Sequence, residues 1–311
     1  MNRVNSGSIL KLLYRKFVRK CIPKYTVGYS REEAYKKIEE GLLSDKPFLC
    51  ARLGCTELQT IIFARIAQKP LLRTLMKPLW KNVLSSVWNS SGVFDASPSD
   101  IYKFADLYES LMPEIDLLGT WHQSERFFDS YLGGKEKISM HHIAPNLLDK
   151  SWTACLEGKK ILVVSSFSES IEKQYDKREQ IFENSSILPK FADLKTIKAI
   201  QSIAGNRPSE FSSWFEALQA MRKDMESMDY DIALIACGAY GFPLAAWAKQ
   251  SGHKAVLMGG VIQLLFGIQG RRFLNFATTD ELRIMNRPAW IKPSAKEIPL
   301  NYNKVPDMGY W

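Results

Sequence analysis

The second half of the chain alternates between continuous apolar runs and amphipathic runs. Four apolar runs predict strands: "KKILVVSSF" (159–167), "ADLKTIKAIQSIAG" (192–205), "YDIALIACG" (230–238) and "HKAVLMGG" (253–260). Helical patterns lie between them, the clearest in "SEFSSWFEALQAMRKDMESM", where large apolar residues recur at helical spacing. Strands that alternate with helices favour right-handed crossovers and a mostly parallel sheet. We therefore predict a Rossmann-like half over residues 158–270.

The first half contains one further passage from strand to helix, within "KPFLCARLGCTELQTIIFARIAQ". An apolar strand runs to about Leu53, Gly54 makes the turn, and the helix begins near Thr56, a residue type suited to an N-cap. Residues 70–157 carry helical and aromatic patterns without a clean repeat, so they predict a helical region whose topology stays open. The fold class predicted for the whole chain is α/β.

Beyond residue 270 the pattern becomes irregular and rich in proline and aromatic residues. Proline interrupts helices and cannot donate a hydrogen bond to a sheet, so this stretch predicts an extended strap, 271–311, that lies on the domain. We expect one α/β domain over residues 31–311, preceded by an arm of residues 1–30.

Charge is distributed unevenly along the 311 residues, whose net charge is +9. Residues 1–31 contain eight basic residues and no acid, whereas the remaining 34 basic and 33 acidic residues nearly cancel. A nearly neutral domain argues against a nucleic-acid partner. The arm has the pattern of a basic amphipathic helix, which favours an anionic membrane surface as the partner of residues 1–24. Packing of this helix on the protein's own core is the alternative.

Hydrophobicity and cysteine usage indicate the compartment. No apolar run approaches the roughly 18 residues that a membrane-spanning helix requires. The five cysteines are scattered and lack C-x-x-C spacing, which is typical of reduced thiols rather than a disulfide framework or a zinc site. We expect a cytoplasmic protein.

The turn after the third strand of the second half predicts a phosphate site. Gly238, Ala239, Tyr240 and Gly241 connect that strand to a helix, with Pro243 at an early helical position. Free amides and the positive dipole end of a helix favour an anion. Glycine at both ends of the turn would let a ligand approach the backbone closely. The alternative is that these glycines only make a tight turn.

The next strand ends in a second glycine-rich turn, Gly259-Gly260, within "MGGVIQLLFGIQGRR". Two such strand ends side by side would form a crevice for a diphosphate. Gln263 is then a candidate for contact with a base or a sugar hydroxyl, and Arg271 or its neighbour Arg272 for contact with phosphate. A solvated surface pair is the alternative for the two arginines.

The segment "ARLGCTEL" supplies the candidate catalytic side chains. A strand that ends in Arg52 and a helix that opens near Thr56 would direct Arg52 and Glu57 towards the same open end of the sheet. An acid in the first turn of a helix is also favoured by the helix dipole alone, so Glu57 has a purely structural alternative.

Several segments resemble bacterial glycosyltransferases of the GT-D type, encoded with O-antigen or capsule assembly genes. They are "RLGCTEL", "ILVVSSFSESIEKQY", "LIACGAYGFPLAAWAKQSGHKAVLMGGVIQLLFGIQGRR", "NRPAWIKPSAKEIP" and the closing "GYW". The resemblance extends from about residue 30 to the end. It implies a GT-D-like fold that transfers a hexose, with galactose in pyranose or furanose form suggested by the polysaccharide context, from a nucleotide-diphosphate sugar such as a UDP-sugar to a lipid-linked glycan.

The resemblance also implies roles for individual residues. GT-D enzymes carry a D-x-E motif whose acids serve a divalent cation and the donor diphosphate; the matching triplet here is Cys55-Thr56-Glu57, so only Glu57 remains. Glu57 would either contact a Mn²⁺ or Mg²⁺ held chiefly by the diphosphate or act as the base. With Arg52 it is the candidate catalytic residue. The candidate donor-binding residues are Gly54, Thr56, Ser165, Ser166, Gly238, Ala239, Tyr240, Gly241, Gly259, Gly260, Gln263 and Arg271.

A lipid-linked acceptor implies that the enzyme is peripheral on the inner face of the bacterial cytoplasmic membrane. Two other classes of function stay open. A Rossmann-type enzyme that uses a dinucleotide or methyl donor is disfavoured because G-x-G-x-x-G is missing and no acid lies near Met258, where the dinucleotide pattern requires one. A non-catalytic scaffold docked through the basic arm is the other.

Overall fold

The computed structural model describes residues 22–305 and 309–311, so residues 1–21 of the predicted arm lie outside the described residues. Seven strands form one sheet in the order β3-β2-β1-β7-β6-β4-β5, and every neighbouring pair is parallel. The Rossmann-like α/β prediction is therefore confirmed. The strands are β1 (Phe48–Ala51), β2 (Leu117–Thr120), β3 (Glu136–Ser139), β4 (Lys160–Ser165), β5 (Asp193–Lys198), β6 (Ile232–Ala236) and β7 (Lys254–Leu257).

Helices cover both faces of this sheet. No helix in the described part of the chain combines the length and hydrophobicity needed to span a bilayer. The helices are α1 (Arg31–Leu43), α2 (Cys55–Gln68), α3 (Pro70–Met76), α4 (Trp80–Ser91), α5 (Pro98–Leu111), α6 (Asp129–Leu132), α7 (Ser168–Tyr175), α8 (Arg178–Ile181), α9 (Trp214–Glu226), α10 (Gly241–Gln250), α11 (Ile262–Leu265), α12 (Arg271–Leu274) and α13 (Thr279–Met285).

The central strands are apolar throughout because each of them contributes to two cores. In β6, Ala233 and Ile235 pack into one core, while Ile232 and Leu234 pack into the other on the opposite face. Successive side chains of a strand point to opposite faces, so a strand covered on both sides needs a continuous apolar run. The predicted apolar stripe on α9 is likewise confirmed, since its large side chains pack into the first of these cores.

The chain order places a crevice between β4 and β6. The connection that leaves β4 leads outward to β5, whereas the connection that leaves the neighbouring β6 leads the other way, to β7, which pairs with β1. Strand order thus reverses between β4 and β6, and ligands of such sheets bind beyond the carboxyl ends of the strands at this point. The predicted adjacency of the third and fourth strands of the second half, β6 and β7, is also present.

Two regions contain more regular structure than their patterns indicated. The region 70–157, predicted as helical, also contains β2 and β3, which have four residues each and are too short for a detectable period. The C-terminal segment contains α12 and α13 as well as irregular backbone. Its Trp290 is buried against the second core, and its indole donates to the carbonyl of Ile181 at 3.3 Å.

Candidate functional site

One cavity of about 250 Å³ opens at the carboxyl ends of the parallel strands. Its walls include Arg52 after β1, Ser166 after β4, Gln201 after β5, Gly238 after β6 and Gly259 after β7. Segments that are up to about 200 residues apart in sequence therefore meet here because parallel strands end at the same edge. This cavity occupies the crevice that the strand order creates.

Most of the predicted site residues lie together in the wall of this cavity. The β1 turn and the glycine turns after β6 and β7 face one another across it. The predicted residues that line it are Arg52, Gly54, Thr56, Glu57, Ser166, Gly238, Tyr240, Gly259 and Gly260.

Two predicted donor-binding residues lie inside the protein instead. Ser165 is fully buried, and its hydroxyl accepts a hydrogen bond from the amide of Phe167 at 3.2 Å. Ala239 is also fully buried, and its carbonyl accepts from the hydroxyl of Tyr108 at 2.6 Å. Position at a strand end does not reveal which side of the turn a residue faces, so the prediction of donor contact is corrected to a structural role for both.

Three further predicted contacts are corrected by placement. A Cβ at the buried Gly241 would lie 2.7 Å from Leu257 Cδ1, so this glycine lets α10 pack on β7. Gln263 is fully buried, and its side-chain amide donates to the carbonyl of Tyr310 at 3.0 Å. Arg271 lies at the exposed start of α12, away from the cavity wall, whereas Arg272 lines it.

Arg52 is held directly over the backbone of Gly259. A Cβ at Gly259 would overlap the Arg52 guanidinium, and the left-handed φ of +59° at this position also favours glycine. The contact that the guanidinium makes with a polar atom is a weak one, from Nη1 to Met140 Sδ at 3.8 Å. Within residues 22–305 and 309–311, no carboxylate forms an ion pair with Arg52. A half-buried cation thus faces the cavity without an ion-pair partner among the described residues.

Glu57 lies in the first turn of α2 and is only 9% exposed. Its carboxylate folds back over Gly54, where a Cβ would overlap it. Burial raises the pKa of Glu57, opposed by hydrogen bonds from its own amide and from Ser91 and by the charge of Arg52. The cavity therefore contains a carboxyl group that is more easily protonated than an exposed one.

The glycines of the site have a different purpose from the predicted one. A Cβ at Gly238 would lie 2.9 Å from the Ser91 carbonyl oxygen, and one at Gly260 would overlap the Tyr310 ring. Together with Gly54 and Gly259, these positions accommodate groups of the protein itself. Close approach of a ligand to bare backbone, as expected from the sequence, is replaced by close approach of Arg52, Glu57 and Tyr310. The predicted N-cap is corrected too, because α2 begins at Cys55 with Gly54 as its cap residue.

Aromatic and polar residues outside the predicted set complete the wall. Trp121 follows β2 and donates its indole hydrogen to the Leu53 carbonyl at 2.9 Å, and Tyr310 and Trp311 reach the cavity from the chain end. Ser202, after β5, donates to the Gly92 carbonyl at 2.6 Å and lies 2.9 Å from the Tyr240 hydroxyl. Of these additional wall residues, the sequence pointed only to Tyr310 and Trp311, through the closing "GYW".

Cys55 belongs to a small polar cluster at the cavity. Its Sγ lies 3.2 Å from His122 Nε2 and 3.1 Å from Gln59 Nε2. The Ser124 amide donates to His122 Nδ1 at 3.1 Å, so the neutral ring carries its hydrogen on Nε2, directed at the sulfur. The Cys55 thiol thus receives hydrogen bonds, and His122 is a neighbour that the sequence did not identify.

The donor set does not fit a divalent cation held by the protein. Within the described ranges, no three or more histidine, cysteine, aspartate or glutamate side chains gather as a metal site. Of the residues that the structure describes in the cavity wall, Glu57 alone has a carboxylate side chain. Magnesium and manganese require several oxygen ligands, so a cation here would depend on a bound diphosphate.

Comparison with known proteins does not add a relative. A scan of protein-family models found no match to the chain, and searches of curated proteins and of solved structures found none either. The fold and the cavity are therefore the observations on which a functional assignment rests.

Proposed function

We propose that the chain is a glycosyltransferase that moves a hexose from a nucleotide-diphosphate sugar to a lipid-linked glycan acceptor. The observation that carries this proposal is the Arg52 guanidinium, seated on Gly259 in a cavity at the reversal of strand order, without an ion-pair partner in the described part of the chain. A guanidinium in such a place is suited to bind phosphate oxygens through charge-assisted hydrogen bonds.

The remaining wall is consistent with a donor of this kind. Arg272 lines the same cavity and donates to the Tyr310 hydroxyl at 3.4 Å, so a second cation lies near the chain end. The rings of Trp121, Tyr310 and Trp311 offer apolar faces for a base or a sugar. Because the side chains do not fit a cation site, the phosphate charge is assigned to the arginines.

Glu57 is the base in this proposal. Its raised pKa brings the carboxylate closer to the working pH, where a general base is most effective. The acceptor hydroxyl would give its proton to Glu57 as its oxygen bonds to the sugar carbon. The nucleotide diphosphate leaves with the electron pair of the broken carbon–oxygen bond.

The setting in bacterial surface polysaccharide synthesis, O-antigen or capsule, is proposed from the GT-D resemblance of segments such as "RLGCTEL". The donor would be a UDP-hexose, and residues 1–24 would hold the enzyme on the inner face of the cytoplasmic membrane. A basic amphipathic arm suits an anionic bilayer. That arm lies almost wholly outside the described residues.

Product analysis tests the proposal. The protein is incubated with a panel of nucleotide sugars and a lipid-linked acceptor, and products are identified by mass spectrometry. One donor should yield a glycosylated lipid, and Glu57→Gln should lower turnover by about 100-fold or more while donor binding persists, as expected for loss of a general base. Glu109→Gln is the matched control, because the part-buried Glu109 pairs with Arg65 away from the cavity.

Two other results would replace the proposal. Binding of a dinucleotide or methyl donor in preference to uridine nucleotides would indicate the Rossmann-type alternative. Polysaccharide production that survives Glu57→Gln but not deletion of residues 1–24 would indicate a scaffold.

A further inference from the structure

The consecutive helices α3 and α4 and the single turn between them carry an exposed apolar and basic surface. Leu71 is 96% exposed and Leu75 is 68% exposed, although large aliphatic side chains are usually covered. They are four residues apart in α3, so their side chains are neighbours on one side of the helix. Met76 is buried and anchors the same helix to the protein. Two leucines therefore stand together in solvent on a helix whose position is fixed.

Four basic residues lie in the same segment of the chain as these leucines, with Arg73 on a different side of α3 because it is two residues from each of them. Lys69, Arg73, Lys77 and Lys81 are all exposed, and we call them with Leu71 and Leu75 the 69–81 surface. No acidic residue occurs between Glu57 and Asp95 in the sequence.

The charges of this surface are not compensated. Over the ranges that the structure describes, none of its four cations forms an ion pair. Arg65, the remaining cation of the acid-free stretch, differs because it pairs with Asp106 at 2.7 Å and Glu109 at 2.9 Å. The uncompensated cations thus belong to the same exposed segment as the two leucines.

We propose that the 69–81 surface binds an anionic phospholipid bilayer. The two leucines would enter the boundary between headgroups and acyl chains, and the four cations would meet lipid phosphates. Exposed aliphatic side chains flanked by cations of a single sign are the chemistry by which helices lie on such membranes. A protein partner with mixed charge would be matched by mixed charge here, and the surface has none.

This contact is separate from the one expected of residues 1–24, and it does not depend on sugar transfer. Binding of the 69–81 surface to a bilayer would also orient the cavity relative to that bilayer. Helix α4 starts at Trp80, beside the 69–81 surface, and ends at Ser91, which lines the cavity. A helix of 12 residues is about 18 Å long at 1.5 Å per residue. The cavity would therefore lie within reach of molecules embedded in the same bilayer.

Co-sedimentation of the full chain with vesicles tests the proposal. Vesicles of phosphatidylglycerol and phosphatidylcholine are compared with phosphatidylcholine alone. Leu71→Ser/Leu75→Ser should bind the anionic vesicles at least about 10-fold more weakly, since the burial of each leucine side chain in the bilayer is lost. Leu300→Ser is the matched control, because Leu300 is 93% exposed outside this surface and should leave binding unchanged.

Charge is tested in the same assay. Lys77→Gln/Lys81→Gln should weaken binding by about five-fold for each cation removed, an effect that salt should diminish. Lys150→Gln/Lys292→Gln removes two exposed lysines elsewhere and should bind like the wild type. Amide hydrogen exchange of residues 69–81 should slow when anionic vesicles are added.

Three results would overturn the proposal. They are wild-type vesicle binding by the double leucine variant, unchanged hydrogen exchange at residues 69–81, and self-association that disappears in that variant, which would make a second copy the occupant. Because the leucines are exposed, the variant should keep the wild-type melting temperature. It should also keep wild-type nucleotide affinity in solution, so failure of this proposal is distinct from failure of the proposed function.

Discussion

Charged side chains are paired differently at the two ends of the central strands. At the amino end, Asp116 accepts from the Leu49 amide at 2.9 Å and pairs with Lys249 at 2.8 Å, while Asp231 accepts from the Lys160 amide at 2.8 Å. At the carboxyl end, Arg52 and Glu57 face a cavity, and neither forms a salt bridge with a described residue. The charges at the amino end tie strands together, whereas we propose that Arg52 and Glu57 at the carboxyl end serve a ligand.

Glycine placement explains how the carboxyl end keeps its charges unpaired. Gly259 and Gly54 leave room for the Arg52 guanidinium and the Glu57 carboxylate to lie flat on the backbone. Contact with the glycine backbone holds the two side chains in place, a restraint that an ion pair would otherwise provide. The comparison predicts that substitutions at the two ends will have separable effects on binding and on stability.

Apart from removal of the Arg52 guanidinium itself, the largest expected effect is at Gly259. Gly259→Ala should lower affinity for a nucleotide diphosphate by about 30-fold or more, because the new Cβ displaces Arg52 and its charge-assisted bonds. It should also cost about 1 kcal/mol of unfolding free energy, since alanine is strained at positive φ. Gly252→Ala is the control at the amino end: its φ is +92° but nothing lies within 4 Å of a Cβ. Equal loss of affinity in both variants would refute the seating of Arg52.

The next substitution, at the amino end, should lower stability and leave nucleotide affinity unchanged. Lys249→Met should lower the free energy of unfolding by about 1–2 kcal/mol, because it leaves the half-buried Asp116 without its partner. Nucleotide affinity should stay at the wild-type value. Denaturant titration and calorimetry measure the two quantities, and a loss of affinity without a loss of stability would show that the two ends are not separable.

Glu57 should make stability depend on pH. Its folded pKa is raised, so its favourable contribution is present below the ordinary value of 4.5 and is lost as pH rises through the folded pKa. Relative to wild type, Glu57→Gln should therefore gain stability as pH rises from below 4.5 through the folded pKa of Glu57. Denaturant unfolding across this range measures the difference. A constant difference would mean that Glu57 titrates normally.

The smallest effect is expected at an exposed pair of the amino end. Lys160 forms an ion pair with Asp229 at 2.6 Å, but both side chains are exposed. Solvent screens such pairs, so Lys160→Met should not change the melting temperature measurably. A clear decrease in the melting temperature would mean that exposed ion pairs also stabilise the amino end of the sheet.

The sequence predicted the strands that have long apolar runs, such as β4 and β6, because a strand covered on both faces leaves an unmistakable pattern. It did not predict β2 and β3, where four residues each are too few. His122 and Trp121, which follow β2, were therefore not identified as site residues.

The sequence also placed Arg52 and Glu57 near the glycine turns, because parallel strands end at one edge. It did not reveal what the glycines accommodate. That depends on contacts such as Tyr310 on Gly260, between residues 50 apart, which no local pattern records. For the same reason Ser165 and Gln263 were assigned to the ligand although they face the interior.

Titration of UDP into the pure protein by calorimetry tests the central claim most directly. Wild type and Lys249→Met should bind with the same affinity, whereas Arg52→Met should bind about 100-fold more weakly, because it loses a charge-assisted pair of bonds to phosphate. Equal binding by wild type and Arg52→Met, or no binding by any of the three proteins, would contradict the assignment of Arg52 to a donor diphosphate.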